Sequence, residues 1–297
     1  MNKTSLRFKL VDAFYIAMMI IPIVAGIVLK VLTEPASEGI NITGARIFFT
    51  IPMPLQDFPV TESQINSVIV TIVIFFFCLY LTHGLTQRAD LKRQHLAEMA
   101  VEKIDGLVAE NMGKYFEGFP PFIIAILALS AFSSLITLFG LYPPTSDINV
   151  VGGWAVLVFV LITYYKMKCG PLHYLKSFTQ PVALLTPINM ISEIATPVSM
   201  AFRHYGNVLS GSVISVLLGS ALAGISAKAL AWLPGVLADF PIFRIGIPAV
   251  MSAYFDVFSG CLQAFIFAML TMMYVAGAFD IEFFEQKKAR KSAKNKK

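Results

Sequence analysis

The sequence predicts an all-α integral membrane protein with five core transmembrane helices and one further N-terminal helix. Of its 297 residues, 57% are hydrophobic and only 14% are charged. An ordinary soluble domain carries roughly 25% charged residues, so a soluble fold would show far more charge to water. Spanning a bilayer takes about 20 apolar residues in a helix, and such stretches recur along the chain. They lie at 11–32, 66–85, 121–141, 151–166, 182–233 and 245–279.

The first apolar stretch follows the basic residues Lys3, Arg7 and Lys9, a start that signal peptides and retained helices share. Its apolar part is long for a signal peptide, and Glu34 to Glu38 lacks the small-residue pattern of a cleavage site. We therefore favour a retained helix. The expected division of the chain is 1–65 for this helix and an outer loop, 66–279 for the core, and 280–297 for a basic tail.

The distribution of Lys and Arg predicts the orientation, because basic residues concentrate on the cytoplasmic side of a membrane. The segments 86–118 and 166–180 are rich in Lys and Arg, as is the tail, whereas the loop 33–65 is mainly acidic. The N-terminus and these basic segments are therefore predicted inside. The connections 33–65, 142–150 and 234–244 are predicted outside, with Arg244 as an exception to the rule.

The charged segments near the membrane predict contacts with lipid. Residues 90–116 mix charges with apolar side chains, as an amphipathic helix on the inner membrane face does, although a solvated connecting helix fits nearly as well. The basic tail predicts a cytoplasmic segment held against anionic lipid, and the net charge of +5 gives little reason to expect nucleic acid.

The sequence has no motif of a soluble enzyme or a metal site. It contains no Walker loop, no HExxH and no GxSxG, and its three cysteines are isolated, without CxxC spacing. We expect no catalytic, cofactor or metal site in this chain.

A stripe of polar residues runs through the long apolar segment 182–233. Steps of three or four residues place its members on one face of a helix. A polar stripe is costly in lipid, so it should face another protein element or a water-filled cavity. The members are Asn189, Ser192, Thr196, Ser199, Arg203, Asn207 and Ser210.

Arg203 lies near the middle of this stripe, far from either end of the apolar segment. An arginine at the centre of a membrane helix costs about 2.5 to 3.5 kcal/mol, and its pKa above about 12 prevents it from becoming neutral. A partner anion or water must offset that cost. Within the chain, Asp256 is the intramembrane acid that could form an ion pair with it. A simple ion pair leaves the other six polar residues of the stripe unexplained.

The last span has a polar stripe of its own, formed by Ser252, Asp256, Ser259 and Gln263. Polar side chains hydrogen-bond between membrane helices, so we expect Asp256 and Gln263 to face the stripe around Arg203. Asp256 can carry a proton, although interhelical bonding is the simpler explanation for Gln263. Glu193 lies nearer the inner end of the long helix, where it could line an exit or sit at the interface. His204 is expected to be an interior histidine rather than a proton relay.

Three sequence motifs resemble subunit a of the F-type ATP synthase membrane sector. They are the run PVSMAFRHYGN from Pro197 to Asn207, the run QAFIF from Gln263 to Phe267, and the turn PPTSDIN from Pro143 to Asn149. The resemblance covers roughly residues 60–279. It implies two long tilted helices forming a hairpin, 182–233 and 245–279, held against a rotating ring of c subunits.

The resemblance also implies roles for individual residues in a stator that does not itself catalyse a reaction. The essential arginine of the family falls on Arg203, its asparagine on Asn207 and its glutamine on Gln263. The resemblance also implies two half-channels: ions enter through one from outside, neutralise a carboxylate on the c-ring, and leave through the other. Many relatives carry a glutamate in place of Ser212 and a histidine in place of Asp256, which makes Asp256 the expected titratable group of the outer half-channel. Relatives often have a glutamate in place of Asn189, which leaves Glu193 as the expected exit group.

The implied complex supplies the partners: the c-ring, the peripheral stalk subunit b and the lipid of the inner (plasma) membrane, with the C-terminus in the cytoplasm. No cofactor is implied. The alternative function is a secondary transporter that binds an anionic substrate at Arg203. Such transporters often show internal repeats with broken helices at matching positions, and the sequence shows neither.

Overall fold

A computed structural model of the chain describes residues 3–33, 44–54, 56–85, 92–179, 182–231 and 253–295, with positions 243, 246, 247, 250 and 251. Within these residues, six helices are long and apolar enough to span a membrane, which confirms the predicted fold class. These spans are Phe8–Thr33, Glu62–Thr82, Pro120–Phe139, Ile148–Cys169, Thr186–Leu230 and Ala253–Ala289.

The helices are numbered along the described chain. The first seven are α1 (Lys3–Thr33), α2 (Glu62–Thr82), α3 (Lys92–Met112), α4 (Pro120–Leu135), α5 (Ile148–Cys169), α6 (Pro171–Ser177) and α7 (Thr186–Leu230). A π-helical segment, Ala253–Ser259, leads into α8 (Gly260–Gly277), which is followed by α9 (Ile281–Asn295). Short 3-10 turns lie at Lys114–Phe116, Ile136–Phe139, Pro144–Ser146 and Ala183–Leu185.

A small β-hairpin precedes α2, where the sequence predicts only a loop. Strands β1 (Ile47–Ile51) and β2 (Phe58–Thr61) pair antiparallel, with an irregularity between Ile47 and Phe49. Thr61 then caps α2, and its backbone N–H donates to the side-chain oxygen of Gln64 at 3.2 Å. We call this side of the molecule the hairpin end.

The core surrounds α8, which packs against α3, α4, α5 and α7. Its centre is apolar and almost free of exposed surface, with Phe116, Ile123, Val158, Phe267 and Met272 as large members. In a soluble protein, fully burying a side chain of this size stabilises the fold by about 1.5–3 kcal/mol. In lipid, the helices are held together instead by the van der Waals attraction of this close packing.

Helix α1 packs along α2 and reaches both ends of the bundle. Gly26 approaches Ile69 so closely that an added Cβ would lie 2.8 Å from its terminal methyl carbon. At the hairpin end Lys30 Nζ donates to the carbonyl of Gly140, and at the opposite end Arg93 Nη1 lies 2.7 Å from Asp12 Oδ1.

The end opposite the hairpin, which we call the basic end, joins α3, α6 and α9. The His173 ring stacks on Phe283 with centroids 3.9 Å apart, and its Nε2 lies 3.2 Å from Asp280 Oδ2. Lys287 Nζ donates to the carbonyl of Cys169 at 2.9 Å. The predicted basic tail therefore begins as a helix anchored to the bundle.

Helix α7 is continuous for 45 residues despite Pro197 in its interior. At 1.5 Å per residue it measures about 68 Å, more than twice the hydrocarbon thickness of about 30 Å. An apolar segment of this length must either bend back on itself or lie strongly tilted in the membrane. Because the helix is unbroken, it favours a strong tilt. The predicted turn 234–244, except for position 243, and Ser252 lie outside the described residues, and the last span is described without gaps from Ala253.

Candidate functional site

The polar stripe of α7 faces mainly away from the rest of the described chain. Its opposite side packs into the bundle through Met200, Ala201 and His204, which are at most 5% exposed. Along much of its length the stripe is therefore left uncovered by the described residues. Ser192, Ser199, Arg203 and Ser210 are exposed, and Asn189, Thr196 and Asn207 are half-buried.

Arg203 is exposed near the middle of α7, and no hydrogen bond or ion pair joins it to another described residue. The ion pair with Asp256, which the sequence left open as an alternative, is therefore not formed between these two described side chains. Phe202, its neighbour, is 60% exposed and gives this side of the helix an apolar border. The guanidinium keeps five donors for an anion that approaches from outside the chain.

The last span meets α7 close to Arg203, as its own polar stripe predicts. Asn207 Nδ2 donates to Ser259 Oγ at 2.9 Å, and the Ser259 hydroxyl lies 3.2 Å from Asn207 Oδ1. One turn further along α7, Gly211 lies against the ring of Phe255, where an added Cβ would come within 3.1 Å. The two helices thus approach closely through small and hydrogen-bonding residues.

Asp256 lies in the π-helical segment, half-buried, between the contacts that Phe255 and Ser259 make with α7. A π-helical turn widens the helix and breaks its regular hydrogen bonding, and such turns often occur at functional sites. In this protein the π-helical segment contains Asp256, the one acid in the polar stripe of the last span.

Gln263 and His204 lie inside the bundle rather than on its exposed side. Gln263 is 6% exposed on α8. His204 has no exposed surface, its Nε2 lies 3.3 Å from Ser130 Oγ, and its ring meets Trp154 and Phe267 edge-on. This burial agrees with the expected interior histidine, although its Nδ1 has no hydrogen-bond partner.

Glu193 forms a small polar network near the basic end. Its Oε1 lies 2.9 Å from Lys166 Nζ of α5 and accepts a 3.0 Å hydrogen bond from the hydroxyl of Tyr174 in α6. Burial, followed by the hydrogen bond and the negative charge of Glu193, raises the pKa of Tyr174 to about 12. Sequence reasoning missed both partners, because they come from other helices.

The described residues contain no group of three or more His, Cys, Asp or Glu side chains that could hold a metal ion. The chemistry that the site offers is electrostatic: a fixed cation on an exposed helix face, flanked by hydroxyl and amide groups. Such a surface can attract an anion and repel a cation.

Comparison with known proteins decides the family. The model of the family described as ATP synthase A chain matches residues 65–276, well over half of the chain. The chain belongs to the ATP synthase A chain family. The resemblance of the three sequence motifs is thereby confirmed, and the membership favours a subunit of the synthase over a secondary transporter.

Similar proteins carry the name of one subunit. ATP synthase subunit a of Desulforamulus reducens is 34% identical over 222 residues, which cover 72% of this chain and 78% of that protein. ATP synthase subunit a of Trichlorobacter lovleyi is 28% identical over 231 residues, 74% of this chain and 90% of the relative. A relative from Propionigenium modestum, named ATP synthase subunit a, sodium ion specific, is 27% identical over 276 residues, 82% and 88% of the two chains.

As a member of this family, the chain is a multi-pass membrane subunit of the ATP synthase. The matched region begins within α2 and ends within α8, so it contains Glu193, Arg203, Asn207, Asp256 and Gln263 and excludes α1, the hairpin and α9.

Proposed function

We propose that this chain is the ion-conducting stator of the synthase membrane sector. Two half-channels, one open to each side of the membrane, lead ions to and from carboxylates on a rotating c-ring. The chain itself catalyses no reaction. Its part is to hold Arg203 between the two half-channels, with Asp256 and Gln263 on the outer path and Glu193 on the inner path.

The observation that carries this proposal is the exposed position of Arg203 on a face of α7 that the described chain leaves uncovered. An arginine in lipid needs an anion, and Asp256, the intramembrane acid that the sequence offers, forms no ion pair with it among the described residues. A carboxylate on a neighbouring, moving subunit meets that need. Because an adjacent opposite charge favours the ionised form of an acid, Arg203 promotes release of the ion that the carboxylate carries.

Arg203 has a second role in this mechanism, as a barrier. Its charge does not titrate, so it repels any cation that would pass directly between the half-channels. Each proton that crosses 100 mV releases about 2.3 kcal/mol, and a direct leak would dissipate this energy without turning the ring. The hydroxyl groups along the stripe, Ser210 among them, line the approach to this barrier.

The surrounding arrangement follows from the same proposal. The stripe of α7 faces the c-ring, subunit b of the peripheral stalk contacts the other side of the bundle, and lipid covers the remaining apolar faces. The basic end lies in the cytoplasm and the hairpin end outside the plasma membrane, which agrees with the bias of Lys and Arg. Residues 66–279 form the conducting core.

Replacing Arg203 tests the mechanism directly. In the complex reconstituted into liposomes, Arg203→Ala is expected to abolish ATP-driven ion pumping and to allow passive ion leakage. The matched control is Lys228→Ala, which removes an exposed cation about 37 Å further along the same helix and should leave pumping intact. Pumping by Arg203→Ala at the rate of the unmodified complex would exclude the proposed mechanism.

A further inference from the structure

The hairpin end contains a cluster of buried polar side chains that the proposed mechanism does not use. Three belong to the first turns of α2: Glu62 is 4% exposed, Ser63 0% and Asn66 2%. Two belong to the 3-10 turn before α5: Thr145 is 0% exposed and Ser146 5%. We call these five residues the outer polar cluster.

Hydrogen bonds hold the two halves of the outer polar cluster together. Ser63 Oγ donates to Asp147 Oδ2, and Asn66 Nδ2 donates to the carbonyl of Tyr142 at 2.8 Å. The hydroxyl of Tyr142 reaches the carbonyl of Ser146 at 3.3 Å. The turn also packs against α2, α4, α5 and α7, so it lies inside the bundle and not on its surface.

Three side-chain oxygens of the cluster have no hydrogen-bond partner among the described residues: Glu62 Oε1, Thr145 Oγ1 and Ser146 Oγ. Burying such groups without a partner costs roughly 1–3 kcal/mol each by mutational measures, and more for a charged carboxylate. Native proteins rarely accept this cost without a bound species or a functional reason. Carboxylate and hydroxyl oxygens are hard ligands, which suit small hard cations.

Charged groups of both signs surround the cluster. Glu62 and Asp147 both act on Tyr142 across the turn. Arg46 accepts the N–H of Glu62 on its backbone carbonyl at 2.7 Å and has a buried Nη1, and Lys30 Nζ donates to the carbonyl of Gly140. Burial, followed by Asp147, Tyr205 and Glu62, raises the pKa of Tyr142, so these acidic groups act on one another across the turn.

The 3-10 turn that carries Thr145 and Ser146 also packs against α7, the helix that carries Arg203. The outer polar cluster therefore lies between the hairpin and this helix.

We propose that the outer polar cluster binds a monovalent cation, a hydrated proton or a sodium ion, at the mouth of the outer half-channel. Glu62 supplies the charge, and the hydroxyls of Thr145 and Ser146 supply neutral oxygen ligands. The inference rests on the proposed function, because a cation site here serves ion uptake. It adds an acid outside the family-matched region to the conducting path.

The test is ATP synthesis by the reconstituted complex, driven by an imposed ion gradient. One arm varies the pH on the hairpin side at low sodium, and the other varies sodium at fixed pH, so that the ion in use is identified. Glu62→Gln is expected to raise the half-saturating concentration of that ion about tenfold, as for the loss of one charged ligand, and to leave the saturated rate unchanged.

A matched control is Asp57→Asn, which neutralises an exposed acid at the same end of the molecule and should not change half-saturation. An unchanged half-saturating concentration in Glu62→Gln would overturn the site. If Glu62→Gln does not assemble, Thr145→Val is the second test, since it removes one neutral ligand at similar volume. It should also raise the half-saturating ion concentration, and an unchanged value would overturn the site. Failure of the unmodified complex to couple any ion gradient to synthesis would instead refute the proposed function.

Discussion

Among single residues, Tyr174 shows how α6 fixes the basic end of α7. Its hydroxyl donates to Glu193, whose carboxylate also pairs with Lys166. The bond requires a protonated phenol, because an ionised phenolate would face the carboxylate as a like charge. Burial and Glu193 accordingly raise the pKa of Tyr174 from 10.0 to about 12.

This shift gives a pH dependence with a definite sign. A raised pKa in the folded state contributes stability that is complete below pH 10.0 and is lost as the pH rises through about 12. The unmodified protein should therefore exceed Tyr174→Phe in stability by a constant amount at neutral pH, and the difference should shrink above pH 10. Thermal unfolding in detergent over this range measures it. Tyr164→Phe, on an exposed part of α5, is the control, and a pH-independent difference would contradict the assignment.

The position of a functional residue could be predicted from the sequence when it depended on the periodicity of one helix, but not when it depended on contacts between helices. The stripe containing Arg203 and Asn207 follows from helical periodicity alone. The network of Glu193 joins residues 19 and more positions apart on three helices, and no local pattern signals it. Thr145 and Ser146 were missed for another reason: they follow two prolines in a short connection, where exposure is the ordinary expectation.

Between elements, α4 and α8 approach each other closely through small residues. Gly260, the first residue of α8, faces Ser134 of α4, where an added Cβ would lie 2.5 Å from the serine Cβ and 2.8 Å from its hydroxyl oxygen. Membrane helices that pack this closely depend on small residues, since lipid provides no hydrophobic force to compensate for a gap.

Gly260→Ala is therefore expected to force α4 and α8 apart and to destabilise the chain by about 1–3 kcal/mol, the usual cost of overpacking. Denaturant titration in mild detergent measures the change. Gly277→Ala lies on the same helix with no atom within 4 Å of the added Cβ, so it serves as the matched control. Restoration of stability by Ser134→Gly in the Gly260→Ala background would identify the clash as the cause, and equal stability of the two alanine variants would refute it.

The elements themselves were predictable to different degrees. The six spans and the helix 92–112 follow from apolar length and mixed charge, signals that a helix carries in its own sequence. The hairpin of Ile47–Ile51 and Phe58–Thr61 is short and lies in a segment that charge assigns to a loop, so its pairing had no comparable signal. The π-helical segment Ala253–Ser259 contacts Gly211 and Asn207 of α7, and no local sequence pattern signals its form.

For the whole molecule, the charge distribution of the two ends predicts the direction of the proposed ion path. The basic end gathers Lys166, Lys168, Lys176 and Lys287, with the remaining basic residues of α9, whereas the hairpin end presents Asp57, Glu62 and Asp147. The basic end and the hairpin end are far enough apart to lie on opposite sides of a bilayer, because α2, α4 and α5 each run from one to the other.

The positive-inside rule then predicts which compartment each end meets, and cysteine labelling can check it. In a background without Cys78, Cys169 and Cys261, a cysteine at exposed Gln56 should react with a membrane-impermeant maleimide added to intact cells. A cysteine at exposed Glu282 should react only after the cells are opened. Pumping activity of both variants ensures that the labelled protein is assembled. The opposite labelling pattern would invert the bundle, so that the outer polar cluster would face the cytoplasm and Glu193 the exterior, and the roles of the two half-channels would exchange.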